Sequence, residues 1–254
     1  MEQLEHYCYK LIIEYEGTNY CGFQQQNLAN FKSIEGQLLV AIKKFTNNDV
    51  DIAVSGRTDA GVHAINQIIS FKLAKKISSH QMVMGLNFYL QDEKIAVKNS
   101  EIVSSNFNAR FNAKMRSYRY IILNRKAVPT IDKNRVWHVG GKKLNIDAMN
   151  IAKNYLLGEH DFSSFRDAEC QGKSPIKTIS SITIYEQDNE KIIIEISAKS
   201  FLHHMVRNIV GTLVWVGQEK ITADYIQNIL LAKDRKASGP NAPACGLYFL
   251  DTIY

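Results

Sequence analysis

The chain has 254 residues, of which 45% are hydrophobic and 22% are charged, proportions that exclude collagen-like and disordered proteins. This length is compatible with one large domain or two packed halves, and it excludes a small disulfide scaffold. The 31 Lys and Arg residues outnumber the 25 Asp and Glu residues, which gives a formal net charge of +6. Such an imbalance attracts polyanions, either nucleic acid or an acidic membrane surface.

The cysteines and the apolar stretches exclude several classes of protein. The four cysteines are Cys8, Cys21, Cys170 and Cys245. None of them forms a CxxC pair, so we expect reduced structural thiols and no zinc knuckle or dithiol redox site. The apolar runs 11–13 and 209–216 are too short for a signal peptide and a membrane-spanning helix, respectively. We therefore expect a soluble, cytoplasmic protein.

Hydrophobic periodicity predicts a mixture of hairpins and helices. Strands are expected at 9–16, 51–54, 69–73, 118–123, 179–185, 191–197 and 247–253, and helices at 34–45, 146–156, 201–216 and 223–233. Ser33 is suited to cap the first helix, and Gly158 is suited to end the second one. A glycine-bounded loop at 55–64 joins two of the strands. This pattern favours an α+β fold on a largely antiparallel sheet.

Residues 107–126 contain six basic residues, four aromatic residues and no acidic one. The basic residues are Arg110, Lys114, Arg116, Arg119, Arg125 and Lys126. Cations interleaved with rings suit single-stranded nucleic acid, which offers phosphates to the cations and bases to the rings. The alternative is a solvated strand edge that positive charge protects from aggregation.

The loop 55–64 contains the sequence SGRTDAGVHA, in which Asp59 is the only carboxylate. Val62 and His63 stand where a phosphate-binding loop needs Lys and Ser or Thr, so nucleoside triphosphate binding is rejected. Arg57 could keep Asp59 ionised when a substrate expels water, since a neighbouring cation favours the charged form. The alternative is an Asx-type turn in which Asp59 bonds to its own backbone.

Residues 201–208 read FLHHMVRN. If they form a helix, His203 and His204 lie four and three residues before Arg207, so a cationic cluster could meet a carboxylate or phosphate. Adjacent histidines on a helix point in different directions and make a poor metal pair. A charged Arg207 in an apolar helix requires a partner.

Together these segments resemble the bacterial tRNA pseudouridine synthase A family. The motifs that carry the resemblance are Tyr15-Glu16-Gly17 through Gly22-Phe23-Gln24, Gly56 through His63, Phe107 through Phe111, Tyr118-Arg119-Tyr120, Phe162 through Arg166, Cys170-Gln171 with Lys173-Ser174-Pro175, His203 through Asn208, and Gly246-Leu247-Tyr248. They follow one another over nearly the whole chain. The Gly56–His63 run is the most specific of them.

The resemblance implies roles for individual residues. Asp59 is the implied catalytic residue, Arg207 its partner, and Tyr118 the ring that stacks on the target base. We predict substrate contacts from Tyr118, Arg57, Arg110, His63, Arg119 and Arg166. Three roles of the Asp59 carboxylate are compatible with the sequence, namely attack on the sugar carbon, attack on the base, and removal of a sugar proton.

The resemblance also implies a fold and partners. It implies two ferredoxin-like halves sharing a largely antiparallel central sheet, which we place at 1–104 with the Asp59 loop and at 105–254 with the basic segment and the Arg207 helix. The implied substrate is uridine at positions 38, 39 and 40 of the tRNA anticodon stem-loop. We expect a homodimer that uses no metal and no small-molecule cofactor.

Two other kinds of protein fit parts of the sequence. A non-catalytic RNA-binding module would explain the basic aromatic segment but would leave the Arg57–Asp59 loop without a purpose. A metal-dependent nuclease or hydrolase could use Asp59 with His203 and His204, although their spacing in the chain disfavours it.

Overall fold

The computed structural model describes residues 6–25, 31–167 and 174–254. Within these ranges the chain forms ten strands and five α-helices. In chain order they are β1 (Tyr7–Tyr15), α1 (Ile34–Thr46), β2 (Ala53–Val54), β3 (His63–Leu73), α2 (Ser79–Leu90), β4 (Ile95–Val103), β5 (Met115–Leu123), β6 (Trp137–His138), α3 (Ile146–Ala152), β7 (Gly158–Asp161), β8 (Ile176–Gln187), β9 (Lys191–Ala198), α4 (Met205–Gly217), α5 (Tyr225–Ala232) and β10 (Leu247–Ile253). None of these helices is both long and apolar enough to cross a membrane.

The chain folds as two compact units. Residues up to Lys114 form the first unit together with Tyr248–Tyr254, and Met115–Leu247 form the second. The first unit is therefore discontinuous in sequence, because its last strand follows the whole of the second unit. The functional halves assigned to 1–104 and 105–254 stay a prediction.

In the first unit the strand order is β4-β1-β3-β10, and β2 pairs with β3. β1 is antiparallel to β3 and β4, whereas β10 runs parallel to β3. The alternation of β1 buries Tyr9, Leu11 and Ile13 on one face. Helices α1 and α2 pack on each other, and α2 contacts β4. This arrangement places the loop between β2 and β3 at the end of a well-packed sheet.

In the second unit the strand order is β6-β5-β9-β8-β7. The long pairs β5–β9 and β8–β9 are antiparallel. Ile192, Ile193, Ile194 and Ile196 of β9 are buried, so both faces of this strand are covered. Helix α3 contacts both α4 and β8. Most of α4 is buried, which makes the helix that carries Arg207 a core element of the unit.

The predicted α+β class with largely antiparallel pairing is confirmed. The Ser33 hydroxyl accepts a hydrogen bond from the Gly36 amide at 3.1 Å, as expected for a cap. The predicted helix 146–156 consists of α3 and a 3-10 helix at Lys153–Leu156, after which Gly158 has a φ of +89°, in the region that favours glycine. Helix α2 and strand β4 are absent from the sequence prediction. Met84 and Phe88 on α2 are exposed. Apolar residues on the solvent face make the hydrophobic periodicity of this helix hard to recognise in the sequence.

Candidate active site

The loop 55–62 connects β2 to β3 and carries Asp59. It is shorter than predicted, because β3 already begins at His63. Ser55 and Thr58 are buried, whereas Arg57 is exposed and Asp59 is partly exposed. The Val62 amide donates to the Asp59 carbonyl at 3.2 Å, and Gly61 has a φ of +78°. A tight turn, which glycine completes at little steric cost, therefore follows Asp59 directly.

A buried hydrogen-bond network supports this loop from the sheet side. The Gln67 side chain, 0% exposed on β3, accepts from the Ser55 hydroxyl at 2.6 Å and donates to the Gly56 carbonyl at 2.7 Å. It also donates to the Tyr15 hydroxyl at 3.4 Å, and that hydroxyl lies 2.7 Å from Thr58 Oγ1. Since these groups are buried, losing a partner would leave a polar atom unsatisfied. The backbone before Asp59 is thus held by side chains from two strands.

Burial also changes the acidity of this network. It raises the pKa of Tyr15 to about 12, and the hydrogen bonds with Thr58 and Gln67 only partly oppose that effect. The Tyr15 hydroxyl therefore stays protonated at neutral and moderately alkaline pH. The Tyr15 oxygen accepts from Gln67, and the Tyr15 and Thr58 hydroxyls share a further hydrogen bond.

Two glycines of the first motif allow the chain to approach the loop closely. A Cβ on Gly17 would lie 1.9 Å from the Val62 carbonyl oxygen, and one on Gly22 would lie 2.8 Å from the Thr58 carbonyl oxygen. Gly22 also pairs with Asp59 in an isolated β-bridge, and the Phe23 amide donates to the Thr58 carbonyl at 3.0 Å. The motif at 15–24 is therefore a second support for the loop.

His63 lies beneath the loop, where it is 1% exposed. Its Nδ1 accepts from the Gly17 amide at 3.1 Å, and its ring stacks on Tyr248 with centroids 4.7 Å apart. These contacts connect the first motif at Gly17 to β10 at Tyr248. The predicted contact between His63 and substrate stays a prediction.

Arg57 and Arg110 line one cavity of about 170 Å³ in the first unit. Both residues are exposed. The Arg110 guanidinium carbon lies 5.6 Å from the centre of the Phe111 ring, within the range of a cation–π contact. Two residues predicted to contact substrate therefore line the same cavity, together with the Phe111 ring, and their contact with substrate stays a prediction.

Tyr118 and Arg119 lie on β5 in the second unit and face opposite sides of its sheet. The Tyr118 ring is 9% exposed and meets the Phe201 ring edge-on, with centroids 5.1 Å apart. Arg119 pairs across the strands with Glu195 at 2.7 Å. The Arg119 cation is thus partly neutralised by a neighbour in its own sheet.

The start of the predicted helix 201–216 is wrong, because α4 begins at Met205. His204 has a φ of +59°, which ends any helical continuity with the residues before it. The His203 and His204 rings stack with centroids 3.9 Å apart instead of diverging as on a helix. His204 Nδ1 lies 2.5 Å from an Asp167 carboxylate oxygen. The apolar Phe201 and Leu202 extend the helical pattern without a capping side chain, and this explains the error.

Arg207 lies in the first turn of α4 and is half-buried. Its Nε donates to the Ala242 carbonyl at 2.6 Å, and the Ala242 amide donates to the Arg207 carbonyl at 3.2 Å. This reciprocal pair fixes the direction in which the guanidinium leaves the helix. The cation also favours the Cys245 thiolate, although burial dominates and raises the pKa of that thiol.

Arg166 is half-buried and follows a short 3-10 helix, Ser163–Phe165. The Phe165 carbonyl accepts from the buried Asn208 side chain at 3.0 Å, and Asn208 Oδ1 accepts from Arg235 at 2.8 Å. Two predicted motifs of the second unit therefore meet through Asn208. Cys170, Gln171 and Lys173 of a further motif lie outside the described residues.

Tyr15 and Asn208 lie in motifs that carry the family resemblance, but no supporting role was predicted for them, and Gln67 was not singled out at all. Each is a polar side chain within a largely apolar element, and a buried polar group needs hydrogen-bond partners. That signal could have marked Gln67, which stands in the β-rich run 65–73. Cys8, Cys21 and Cys245 are free thiols, as predicted, and Cys170 lies outside the described residues.

A family model described as tRNA pseudouridine synthase matches residues 11–112 and 152–254. The chain belongs to the tRNA pseudouridine synthase family. It is 44% identical to tRNA pseudouridine synthase A of Rhodospirillum centenum (strain ATCC 51521 / SW), over 97% of this chain and 99% of the relative. It is 42% identical to the protein of the same name from Caulobacter vibrioides (strain NA1000 / CB15N), over 97% and 98%. The predicted family and isomerase class are confirmed.

A solved structure titled "Crystal Structure of a Cbf5-Nop10-Gar1 Complex" aligns with 94% of this chain and 57% of that chain. The sequence identity is 10% and the TM-score is 0.33. This alignment is too weak to carry an argument. The relation to pseudouridine synthases depends on the family match and the two relatives.

Proposed function

We propose that this tRNA pseudouridine synthase isomerises uridine at positions 38, 39 and 40 of the anticodon stem-loop, and that Asp59 is its catalytic carboxylate. The observation that carries the proposal is the partly exposed Asp59 on a loop held by buried hydrogen bonds from two strands. A catalytic group must be held in place within fractions of an ångström. The family resemblance supports the stem-loop positions.

The chemistry of the isomerisation fits a single carboxylate. The N1–C1′ bond of uridine breaks, the uracil turns within the pocket, and C5 bonds to C1′. C5 gives up its hydrogen and N1 gains one, so the reaction consumes neither water nor electrons. Glycoside hydrolysis, in contrast, generally needs two carboxylates because a leaving alcohol must be protonated. The lone carboxylate of the loop is therefore sufficient.

Other residues take supporting roles in this proposal. The target base must leave its stack, at a cost of a few kcal/mol, and stacking on Tyr118 would return about 1–3 kcal/mol. Arg207 is the cation that the resemblance pairs with Asp59. Arg57, Arg110 and Arg166 offer charge for phosphates, and Arg119 contributes less because Glu195 already pairs with it. We also propose a cytoplasmic homodimer, as the resemblance implies.

Substitution of Asp59 tests the proposal. We expect Asp59→Ala to abolish pseudouridine formation in tRNA transcripts while tRNA binding is retained. Asp92→Asn, which changes an exposed aspartate of the same unit, is the matched control and should behave as the wild type. A transcript with cytidine at positions 38, 39 and 40 should be inert. Turnover by Asp59→Ala would contradict the assignment, and turnover abolished by excess chelator would favour the metal-dependent alternative.

A further inference from the structure

Phe111 presents an aromatic ring to solvent next to the Asp59 loop. It is 78% exposed, although burying a phenylalanine side chain typically stabilises a protein by about 1.5–3 kcal/mol. The ring belongs to the first unit and lines the same 170 Å³ cavity as Arg57 and Arg110. An exposed ring that shares a cavity with two cations suits a ligand with a flat face and negative charge.

The turn that carries Phe111 is held firmly. Asn108 Oδ1 accepts from the Arg110 amide at 2.9 Å and from the Phe111 amide at 3.2 Å. The Asn112 side chain accepts from the Asn108 amide at 2.7 Å. Ala109, which is fully buried, donates its amide to the Ser70 hydroxyl at 3.0 Å. The ring is therefore presented by a fixed turn, and ordering it on binding costs little.

The charges around the cavity favour an anion. Arg57 and Arg110 line it with exposed side chains. The one carboxylate in its lining belongs to Glu35, which accepts from the Gln25 amide at 2.7 Å. Apolar backing comes from Ile52, Ala53 and Val54. This combination suits an unpaired nucleotide, because the ring can stack on the base and the guanidinium groups can bind the phosphate.

We propose that Phe111, Arg110 and Arg57 form a subsite for an unpaired nucleotide that flanks the target uridine. Arg57 is two residues from Asp59 on the same loop, so a phosphate bound there belongs to the nucleotide next to the reacting one. The subsite rests on the proposed function, because it assumes that Asp59 reacts with the target. In this subsite the Phe111 ring stacks on a base and thereby binds the RNA to the first unit.

The test compares Phe111 with Phe88, another exposed phenylalanine of the first unit, 64% exposed on α2. We expect Phe111→Ala to weaken binding of a tRNA transcript about tenfold, the loss of one stacked base. Phe111→Trp should restore affinity, and its fluorescence should be quenched when RNA binds. Phe88→Ala and Phe88→Trp should leave affinity and fluorescence unchanged. Equal affinity of Phe111→Ala and the wild type would overturn the proposal.

A second measurement uses RNAs with an abasic site, introduced one at a time into the nucleotides flanking the target. At one of these positions the abasic site should weaken binding to the wild type but not to Phe111→Ala, because both changes remove the same stack. Additive losses at every position would overturn the subsite. These binding results are independent of turnover, so a failed subsite leaves wild-type pseudouridine formation intact. A failed function would instead show as absent pseudouridine with unchanged binding.

Discussion

The Asp59 loop at 55–62 and the segment 201–208, which contains Arg207, are held in place in different ways. The loop depends on buried hydroxyl and amide side chains, namely those of Tyr15, Gln67, Ser55 and Thr58. The second segment is held by the reciprocal pair between Arg207 and Ala242 and by bonds of the His204 and Asn208 side chains. The two motifs therefore differ in what a mutation can change. Substituting one hydroxyl should disturb the loop, whereas the second segment leads into the largely buried helix α4, which should respond mainly to steric crowding.

Crowding of α4 should have the largest effect. A Cβ on Gly211 would lie 1.7 Å from the Pro240 carbonyl oxygen, two residues before Ala242. We expect Gly211→Ala to lower the free energy of unfolding by about 3 kcal/mol, the upper end for overpacking, because the backbone on both sides must move. Urea denaturation measures this loss.

Gly85 on α2 is the matched control for Gly211. A Cβ there would lie 2.2 Å from an atom of the Phe45 ring, which is a side chain that can turn aside. Gly85→Ala should therefore destabilise the protein less than Gly211→Ala. Equal losses would show that the backbone contact of α4 is no more restrictive than an ordinary side-chain contact.

Alkaline pH should reveal the buried hydroxyl beneath the loop. The folded pKa of Tyr15 is raised to about 12 by burial, whereas an unfolded tyrosine titrates near 10. The stabilisation is fully present below pH 10 and is lost as pH rises towards 12, because only the unfolded chain then releases the proton. Two pKa units correspond to about 2–3 kcal/mol. Urea unfolding of the wild type and of Tyr15→Phe between pH 9 and 12 measures this loss. If the difference in the free energy of unfolding between the two proteins did not vary with pH, the prediction would be contradicted.

Tyr15→Phe at neutral pH should have the smallest effect on stability but a specific effect on turnover. Losing the bonds to Thr58 and Gln67 should cost about 1 kcal/mol and lower kcat about tenfold, since misplaced catalytic groups react slowly. The KM for tRNA should change little. Steady-state kinetics on a tRNA transcript separate the two constants.

Tyr9→Phe provides the control on the same strand. The Tyr9 hydroxyl accepts from the Ile77 amide at 2.7 Å and donates to the Lys75 carbonyl at 3.1 Å, both remote in sequence from the loop. This variant should lose similar stability and keep the wild-type kcat. If both variants lowered kcat equally, the network under Asp59 would have no special role in positioning it.

The same two segments show how far the sequence predicts this structure. Glycines and a lone carboxylate identified the loop and its boundaries to within two residues, because turn chemistry is local. Ser33, Gly158 and the hairpin before β9 were predictable for the same reason. The α+β class followed from the periodicity of β1, β8 and β9.

What the sequence did not predict depends on contacts between distant residues. His204 adopts its left-handed conformation in a turn where Asp167 and Asn241 bond its ring, and the local apolar pattern favours a helix instead. The burial of His63 depends on Tyr248, which is far away in the chain. Gln67 is connected to Thr58 only because Tyr15 lies on the neighbouring strand. Local patterns identify the proposed catalytic residue more readily than the residues that hold its loop.

The parallel pairing of β10 with β3 has a consequence for the order in which the protein is made. Tyr248 and Phe249 pair with His63 and Ala64, at the point where the Asp59 loop joins its sheet. A ribosome must therefore complete the entire second unit before the sheet of the first unit can receive this strand. Pairing between strands so distant in sequence is slow to form. The Asp59 loop should accordingly reach its final arrangement late in biosynthesis, after the remainder of both units has been translated.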